Sequence, residues 1–241
     1  MVVAEIAYRR LTVNAKTVVE KLLKINALPD SATFQTASVW ADDLKRLDVH
    51  VFDNWHFVDL PFSTDGTALE EPGKTDNVEW AIKNCISILK SKRSPDSEKA
   101  TMLKLLIHFV GDIHMPLHTT GRFTSALPHG DQGGNKFRLV GTYRNLHAYW
   151  DSGAGMYEDI PRPLTDSGNA KLKMLADEAE SASPFDKTPL AANLNLVDWT
   201  KEGHELCRSF VYSTVESMEP TMMYKATAQK YCKEKVALAG Y

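Results

Sequence analysis

The stretch His108-Phe109-Val110-Gly111-Asp112-Ile113-His114-Met115-Pro116-Leu117-His118 decides how this chain is read. Apolar residues lead into it at three- and four-residue spacing, at Met102, Leu105, Leu106, Phe109 and Val110, which predicts a helix buried over much of its surface. Ser94-Pro95 marks its start, an N-cap followed by proline at the first helical position. Pro116 ends or kinks the helix, because proline lacks an N–H and its ring clashes with the preceding turn. His108 and Asp112 stand four residues apart, so on a helix their side chains point the same way, about 5–6 Å from one another. His118 follows the proline, where a bent chain returns it to the same cavity.

Helical periodicity continues outward in both directions. Ile6 to Ile25 is amphipathic, Ser31 or Thr33 caps a helix running through Trp40 to Leu47, and Glu79 to Leu89 reads as another. Further helices are predicted over Ala170 to Ala182, Val197 to Met218 and Pro220 to Ala237. Strand content is slight: Lys136 to Val140 and the Tyr143 region, joined at Gly141, predict a small hairpin. Thr119 to Gly134 reads as a loop, as does the Pro161 to Asn169 region. No internal repeat and no linker between two cores is visible. The expectation is a mainly α, single-domain multi-helix bundle over residues 1–241, with a small β-hairpin and long loops.

Composition narrows the function classes. Hydrophobic residues make up 43% and charged residues 24%, which excludes disorder and low-complexity arrays. The net charge of −3, from 28 basic and 31 acidic residues, provides no bulk basic field. A nucleic-acid ligand must therefore be held by local groups, metal ions included. No apolar run approaches the roughly 18 residues of a membrane span. Met1-Val2-Val3-Ala4-Glu5-Ile6-Ala7 carries no signal-peptide pattern. Cys85, Cys207 and Cys232 form no C-x-x-C pair, which argues against a thiolate zinc site. Two readings of them stand: a Cys207–Cys232 bridge between two C-terminal helices, or three buried free thiols.

The histidines are unevenly placed. Of eight, six lie between His50 and His129, and His147 follows soon after. His147-Ala148-Tyr149-Trp150-Asp151 repeats the four-residue spacing of His108 and Asp112. Trp40-Ala41-Asp42 and Trp55-His56-Phe57 add another carboxylate and another imidazole beside tryptophans. One His-x-x-x-Asp pair alone describes a core histidine bonded to an acid. Two such pairs, with a third histidine beyond a helix-ending proline, point to a multinuclear metal site. Zinc suits this mixture of imidazole and carboxylate, whereas magnesium favours oxygen ligands. His114 reads as a position outside the ligand set, and His50, His129 and His204 as surface or hydrogen-bonded histidines. Met218, Met222 and Met223 read as core filler, and the tryptophans as packing, with Trp40 and Trp150 as candidate walls of the metal cleft.

The same residues carry a resemblance. His108-Phe109-Val110-Gly111-Asp112 through Pro116-Leu117-His118 resembles the H-F-x-G-D-x-x-x-P-x-H signature of the S1/P1 nucleases. Gly133-Gly134-Asn135-Lys136 is similar to their Gly-Gly-Asn segment, and Asn145-Leu146-His147-Ala148-Tyr149-Trp150-Asp151 to their N-L-H-x-x-W-D motif. Trp40-Ala41-Asp42 and Trp55-His56-Phe57-Val58-Asp59 resemble the two earlier ligand segments. Order and spacing agree from about residue 37 to 152. Within the family, the trypanosomatid 3′-nucleotidase/nuclease branch is similar.

The resemblance implies a phospholipase C/P1 nuclease-like helical fold with three zinc ions in a cleft. It implies Asp42, His56, His108 and Asp112 as ligands of one zinc, and His118, His147 and Asp151 as ligands of a second, more open one. Asp112 would also bridge to a third. In the family that third ion takes its other ligands from an N-terminal tryptophan and a nearby Gly-His pair, which this sequence does not contain. The third site is therefore expected to be incomplete, and the chain as written impaired. The implied reaction is hydrolysis of phosphate esters at the 3′-oxygen, on single-stranded DNA or RNA and on 3′-nucleotides. Asp112 and Lys45 are the expected catalytic residues, with Arg46 as competitor for Lys45 and a solvated surface lysine as the plain alternative. Phe57, Asp59, Asn135 and Gln132 are the expected substrate-binding residues. Phe57 stacks on a base or packs in the core, and Asn135 contacts substrate or braces its loop. A secreted or cell-surface monomer with no obligate protein partner is expected. The alternatives are a zinc phospholipase C-like phosphodiesterase and an inactive or structural zinc-binding domain.

Overall fold

Eleven α-helices occur among the described residues of the computed structural model, which are 1–25, 27–72, 75–182 and 189–241. In chain order they are α1 (Val2–Arg10), α2 (Val13–Leu23), α3 (Phe34–Ala37), α4 (Trp40–Arg46), α5 (Val78–Lys90), α6 (Asp96–Ile113), α7 (Leu146–Asp151), α8 (Asp166–Ala182), α9 (Pro189–Ala192), α10 (Leu196–Ser209) and α11 (Met222–Gly240). The helix expected from Ser94-Pro95 is α6. It starts one residue later than predicted, with Pro95 at the N-cap and Asp96 and Glu98 in the first turn, where carboxylates suit the exposed N–H groups.

α6 is the member around which the others are laid. It packs on α5, α2, α4, α3 and α10 and buries Leu103, Leu105, Ile107, Phe109 and Ile113. Each such side chain contributes roughly 1.5–3 kcal/mol when fully buried. His108 and Asp112 ride on this helix, so the fold itself fixes their direction.

Several local predictions are corrected by capping chemistry. The Ile6 to Ile25 pattern is two helices, because the Thr12 hydroxyl accepts the Ala15 N–H and starts α2 afresh. Thr33, rather than Ser31, is the cap upstream of Trp40, in a reciprocal pair with Thr36. That helix also breaks, ending at Ala37 and restarting at Trp40. α10 ends at Ser209 rather than Met218, where Phe210 turns its ring onto Tyr224, 4.9 Å away.

The predicted hairpin is not the sheet. Arg138 and Asn145 form a single antiparallel bridge. Around that bridge the Leu139 N–H donates to the Arg144 carbonyl and the Leu146 N–H to the Phe137 carbonyl, while the Arg138 carbonyl accepts the Ser217 N–H and the Val140 N–H donates to Met218, so the short turn also pairs with a distant part of the chain. The sheet found is parallel and two-stranded, β1 (Leu60–Ser63) beside β2 (Thr120–Phe123), with Leu60 opposite Thr120. β2 lies inside the stretch read as loop from Thr119. Just ahead of the pair, the Val58 N–H donates to the His118 carbonyl at 2.8 Å, which ties the two histidine-bearing segments together.

Two further expectations are corrected. All three cysteines are buried free thiols, so the Cys207–Cys232 bridge is not formed. Both lie in one apolar cluster with Leu117, Trp150 and Tyr224, where burial raises the thiol pKa values and keeps the groups unreactive. Met218, Met222 and Met223 are not core filler: all three are exposed, Met222 by 87%. No helix among the described residues is long and apolar enough to cross a membrane.

One contact links the core to the site. α10 lies against the turn Pro116–Thr119 that carries His118. Gly203 permits this, since a Cβ there would stand 2.6 Å from the Thr119 hydroxyl oxygen, and Thr119 is fully buried. Gly203→Ala is therefore expected to cost about 1–3 kcal/mol and lower the melting temperature by several degrees, measured by circular dichroism. An unchanged melt would contradict the close approach. Thiol titration is expected to find no reactive group in the folded protein and three after denaturation without reductant. Only one thiol after denaturation would restore the bridge.

Candidate metal centre

Five segments bring their polar side chains to one place. α6 presents His108 and Asp112 one turn apart. α7 does the same for His147 and Asp151, started by the Asn145 side chain, which accepts the Ala148 N–H at 2.8 Å. His118 sits in the short turn Pro116–Thr119, His56 ends the turn Asp53–His56, and Asp42 lies in the first turn of α4.

The ligand atoms fall into two groups. Those of Asp42, His56 and His108 lie within 4.8 Å of one another, and so do those of His118, His147 and Asp151. Asp112 stands between the groups. Its Oδ2 is 2.9 Å from His56 Nδ1 and 3.0 Å from His108 Nε2, and its Oδ1 is 3.6 Å from His118 Nδ1. His118 Nε2 is 3.5 Å from Asp151 Oδ1, and its ring is stacked on that of His147.

Backbone carbonyls orient two of the imidazoles. His108 Nδ1 donates to Ser38 at 2.6 Å, and His147 Nδ1 donates to Gly133 at 2.8 Å. Each bond holds the proton on Nδ1 and turns the Nε2 lone pair toward a carboxylate, the usual outer support of a metal-ligating histidine. Two buried nitrogens have no hydrogen-bond partner: His118 Nδ1, on the side of Asp112, and His56 Nε2, on the ring edge away from the Nδ1 that faces Asp112. Leaving such atoms unsatisfied costs about 1–3 kcal/mol each. His56 Nδ1 and His108 Nε2 are also only 3.0 Å apart. A cation satisfies a convergence of nitrogen lone pairs and carboxylates of this kind, and the donor set of imidazoles and carboxylates without thiolates fits a divalent metal.

The electrostatics follow from crowding. Burial disfavours the charged form of Asp112, but His108 and His118 outweigh it and hold the carboxyl well below its usual range. Burial likewise opposes charging His118, yet Asp112 and Asp151 push it up to about 9. Asp151 is lowered by His118 and His147 against the same opposition from burial. For His56 burial prevails over the Asp112 carboxylate and lowers the pKa.

The groups open into a cleft of about 470 Å³ lined by Asp42, Lys45, His108, Asp112, His118, His147 and Asp151, with Trp150 as one wall, as expected. Trp40 is not among the lining residues; the Lys104 ammonium sits 5.0 Å from its ring. Lys45 Nζ reaches Asp42 Oδ1 at 3.1 Å, whereas Arg46 pairs with Asp43.

The expected substrate-binding residues lie outside that lining. Phe57 is half-buried and extended, directly after His56, and its carbonyl accepts the Val78 N–H. Asp59 packs against Gly121, and burial together with the nearby Asp131 carboxylate pushes its pKa up to about 6. Gln132 is exposed with φ of +58°. The Asn135 side-chain amide donates to the Gln132 carbonyl at 2.9 Å. His114 is buried, donates to the Val110 carbonyl and has its ring tilted against that of Trp199, 4.5 Å away. His50, His129 and His204 are each hydrogen-bonded outside the two groups.

Sequence reading missed the two supporting carbonyls. Ser38 gives no signal. Gly133 does, since a Cβ there would lie 2.3 Å from the Leu117 carbonyl oxygen, at a φ of +58°.

A family profile described as S1/P1 Nuclease matches residues 1–241. Nuclease S1 of Aspergillus oryzae is 27% identical over 248 residues, covering 90% of this chain and 79% of that protein. Endonuclease 3 and Endonuclease 2 of Arabidopsis thaliana are each 30% identical, over 52% and 63% of this chain. The matches span 44% and 52% of those two plant proteins, about half their length.

Gly133→Ala is expected to displace the loop from Leu117, break the bond to His147 and cost about 1–3 kcal/mol. Divalent-metal uptake measured by equilibrium dialysis should fall by about 10- to 100-fold in affinity, as for lost outer-shell support. Uptake equal to wild type would contradict the role of the Gly133 carbonyl.

Proposed function

The chain belongs to the S1/P1 nuclease family, and from that premise we propose that it is a zinc-dependent hydrolase of phosphate esters at the 3′-oxygen of nucleotides. Its substrates are single-stranded DNA or RNA and 3′-mononucleotides. One observation carries the reading: two triads of imidazole and carboxylate in one cleft, with the Asp112 carboxylate between them.

In this reading Asp42, His56, His108 and Asp112 would hold one zinc and His118, His147 and Asp151 a second, and Asp112 would also serve a third. Bound zinc would supply Lewis acidity, lowering the pKa of water and neutralising phosphate charge. The second triad has three protein ligands, which leaves a position for substrate, whereas structural zinc sites are closed at four.

The protein's own groups position and neutralise. Asp112 stays ionised because His108 and His118 surround it. The Lys45 ammonium, at the cleft beside Asp42, meets the equatorial phosphoryl oxygens. The Gly133 carbonyl and Ser38 carbonyl fix the two imidazoles that face the carboxylates. Phe57 offers a ring to a base, a contact that tolerates any sequence. Asp59 hydrogen-bonds the base edge, and Gln132 lines the rim of the base site. Asn135 keeps the Gly133 turn in shape.

Preference for single strands follows from energy. A duplex base must leave its stack to be gripped beside the metals, which costs a few kcal/mol. The net charge of −3 suits a site that reads a nucleotide or two rather than a long backbone tract. A secreted or cell-surface monomer is the setting we propose for it.

The test uses the full-length protein carrying this sequence, stripped of metal and reconstituted with zinc. Phosphate release from 3′-AMP is expected on reconstitution, with single strands cut faster than duplex and no phosphocholine released from lecithin. His147→Ala should lower kcat/KM by at least about 100-fold. Turnover that survives chelation, or the reverse preference for lecithin, would overturn the proposal.

A further inference from the structure

Aromatic rings form a continuous path from the metal centre to the surface. The His56 and Phe109 centroids are 5.1 Å apart, Phe109 and Trp55 6.3 Å, and Trp55 and Trp80 5.1 Å. The path ends in solvent. Trp80 is 42% exposed, the one tryptophan of five that the fold leaves open. An indole carries one of the largest apolar surfaces available to a helix, and burying it fully would be strongly favourable.

Trp80 lies in the first turn of α5, and its N–H is received by the Asn77 cap at 3.1 Å. Two residues earlier, the Val78 N–H donates to the Phe57 carbonyl at 3.2 Å. α5 therefore begins on the backbone of Phe57, and Trp80 is the next aromatic along. One turn further, Lys83 is exposed, with Glu79 3.8 Å from its ammonium. The Glu79 carboxylate also accepts the Thr200 hydroxyl at 2.8 Å, which holds it toward α10. The edge-on contact with Trp55, at 66°, fixes the Trp80 ring. An exposed indole held against Trp55, on a helix whose start is tied to the Phe57 backbone, offers the kind of ring on which a base can stack.

We propose that the exposed face of Trp80 is a stacking platform for a second nucleobase of a single strand, the neighbour of the base at Phe57. This rests on the single-strand reading above and extends it from a mononucleotide grip to a site of at least two nucleotides.

The test compares two probes on the full-length protein: a short, labelled phosphorothioate oligothymidylate, read by anisotropy, and 3′-thymidylate, read by its displacement. Trp80→Met keeps apolar bulk against Trp55 and removes the π face, and Trp80→Phe keeps a ring. Trp80→Met is expected to weaken the oligonucleotide about tenfold more than the mononucleotide, the effect of one lost stacked base. Trp80→Phe should stay within about threefold of wild type. Melting curves establish that both variants are folded. An unchanged oligonucleotide-to-mononucleotide affinity ratio in folded Trp80→Met overturns the platform. So does an equal loss of both probes, which would make Trp80 a prop for Phe57. Either result leaves the functional reading standing if wild type still hydrolyses 3′-AMP. A wild type that binds neither probe and hydrolyses nothing removes both proposals.

Discussion

A largely enclosed carboxylate shared by three imidazoles organises this molecule. Asp112 lies on α6, which packs on α5, α2, α4, α3 and α10, and His56, His108 and His118 all approach it. An ionised acid in that position is tolerable only while positive charge is close. The chain therefore has to bring residues that are far apart in sequence to the same wall of α6. The tie between Val58 and His118, the parallel strands behind it and the close approach of α10 at Gly203 are the means by which it does so.

The candidate site was legible to the extent that one helix carries it. His108 with Asp112 and His147 with Asp151 are read from spacing alone, because a helix converts a separation of four into a shared face. Gly133 was legible as a special position and its partner was not. The Ser38 carbonyl had no signal, since any residue offers the same oxygen. The placement of Asp42 and His56 beside α6 came only with the resemblance to a family, as their convergence depends on tertiary packing.

The fold was legible in its helices and less so at their joints. Thr12 looks like an ordinary polar residue within an apolar pattern, yet it starts a new helix by capping, and Thr33, one of the two caps expected, starts a helix that stops at Ala37 rather than running through Trp40. The parallel pair β1 and β2 was invisible because its strands are four residues each and their partnership spans the chain between them. The Met218, Met222 and Met223 cluster misled because methionine suits core and surface alike. The bridge between Cys207 and Cys232 was a matter of compartment rather than of pattern, and the packing places both thiols in a dry cluster without joining them.

The parallel pair has one more consequence. It runs from Leu60 to Ser63 on one side and Thr120 to Phe123 on the other, immediately after His56 and His118 on their respective segments. The lengths that matter to the histidines are thus fixed upstream of the pair. The connection from Ser63 to the start of α5 at Val78 leaves after the clamp and rejoins at a separate anchor, the Phe57 carbonyl. The register of His56 and His118 is therefore set by the strand pair and the Val58–His118 bond, and not by the length of that connection.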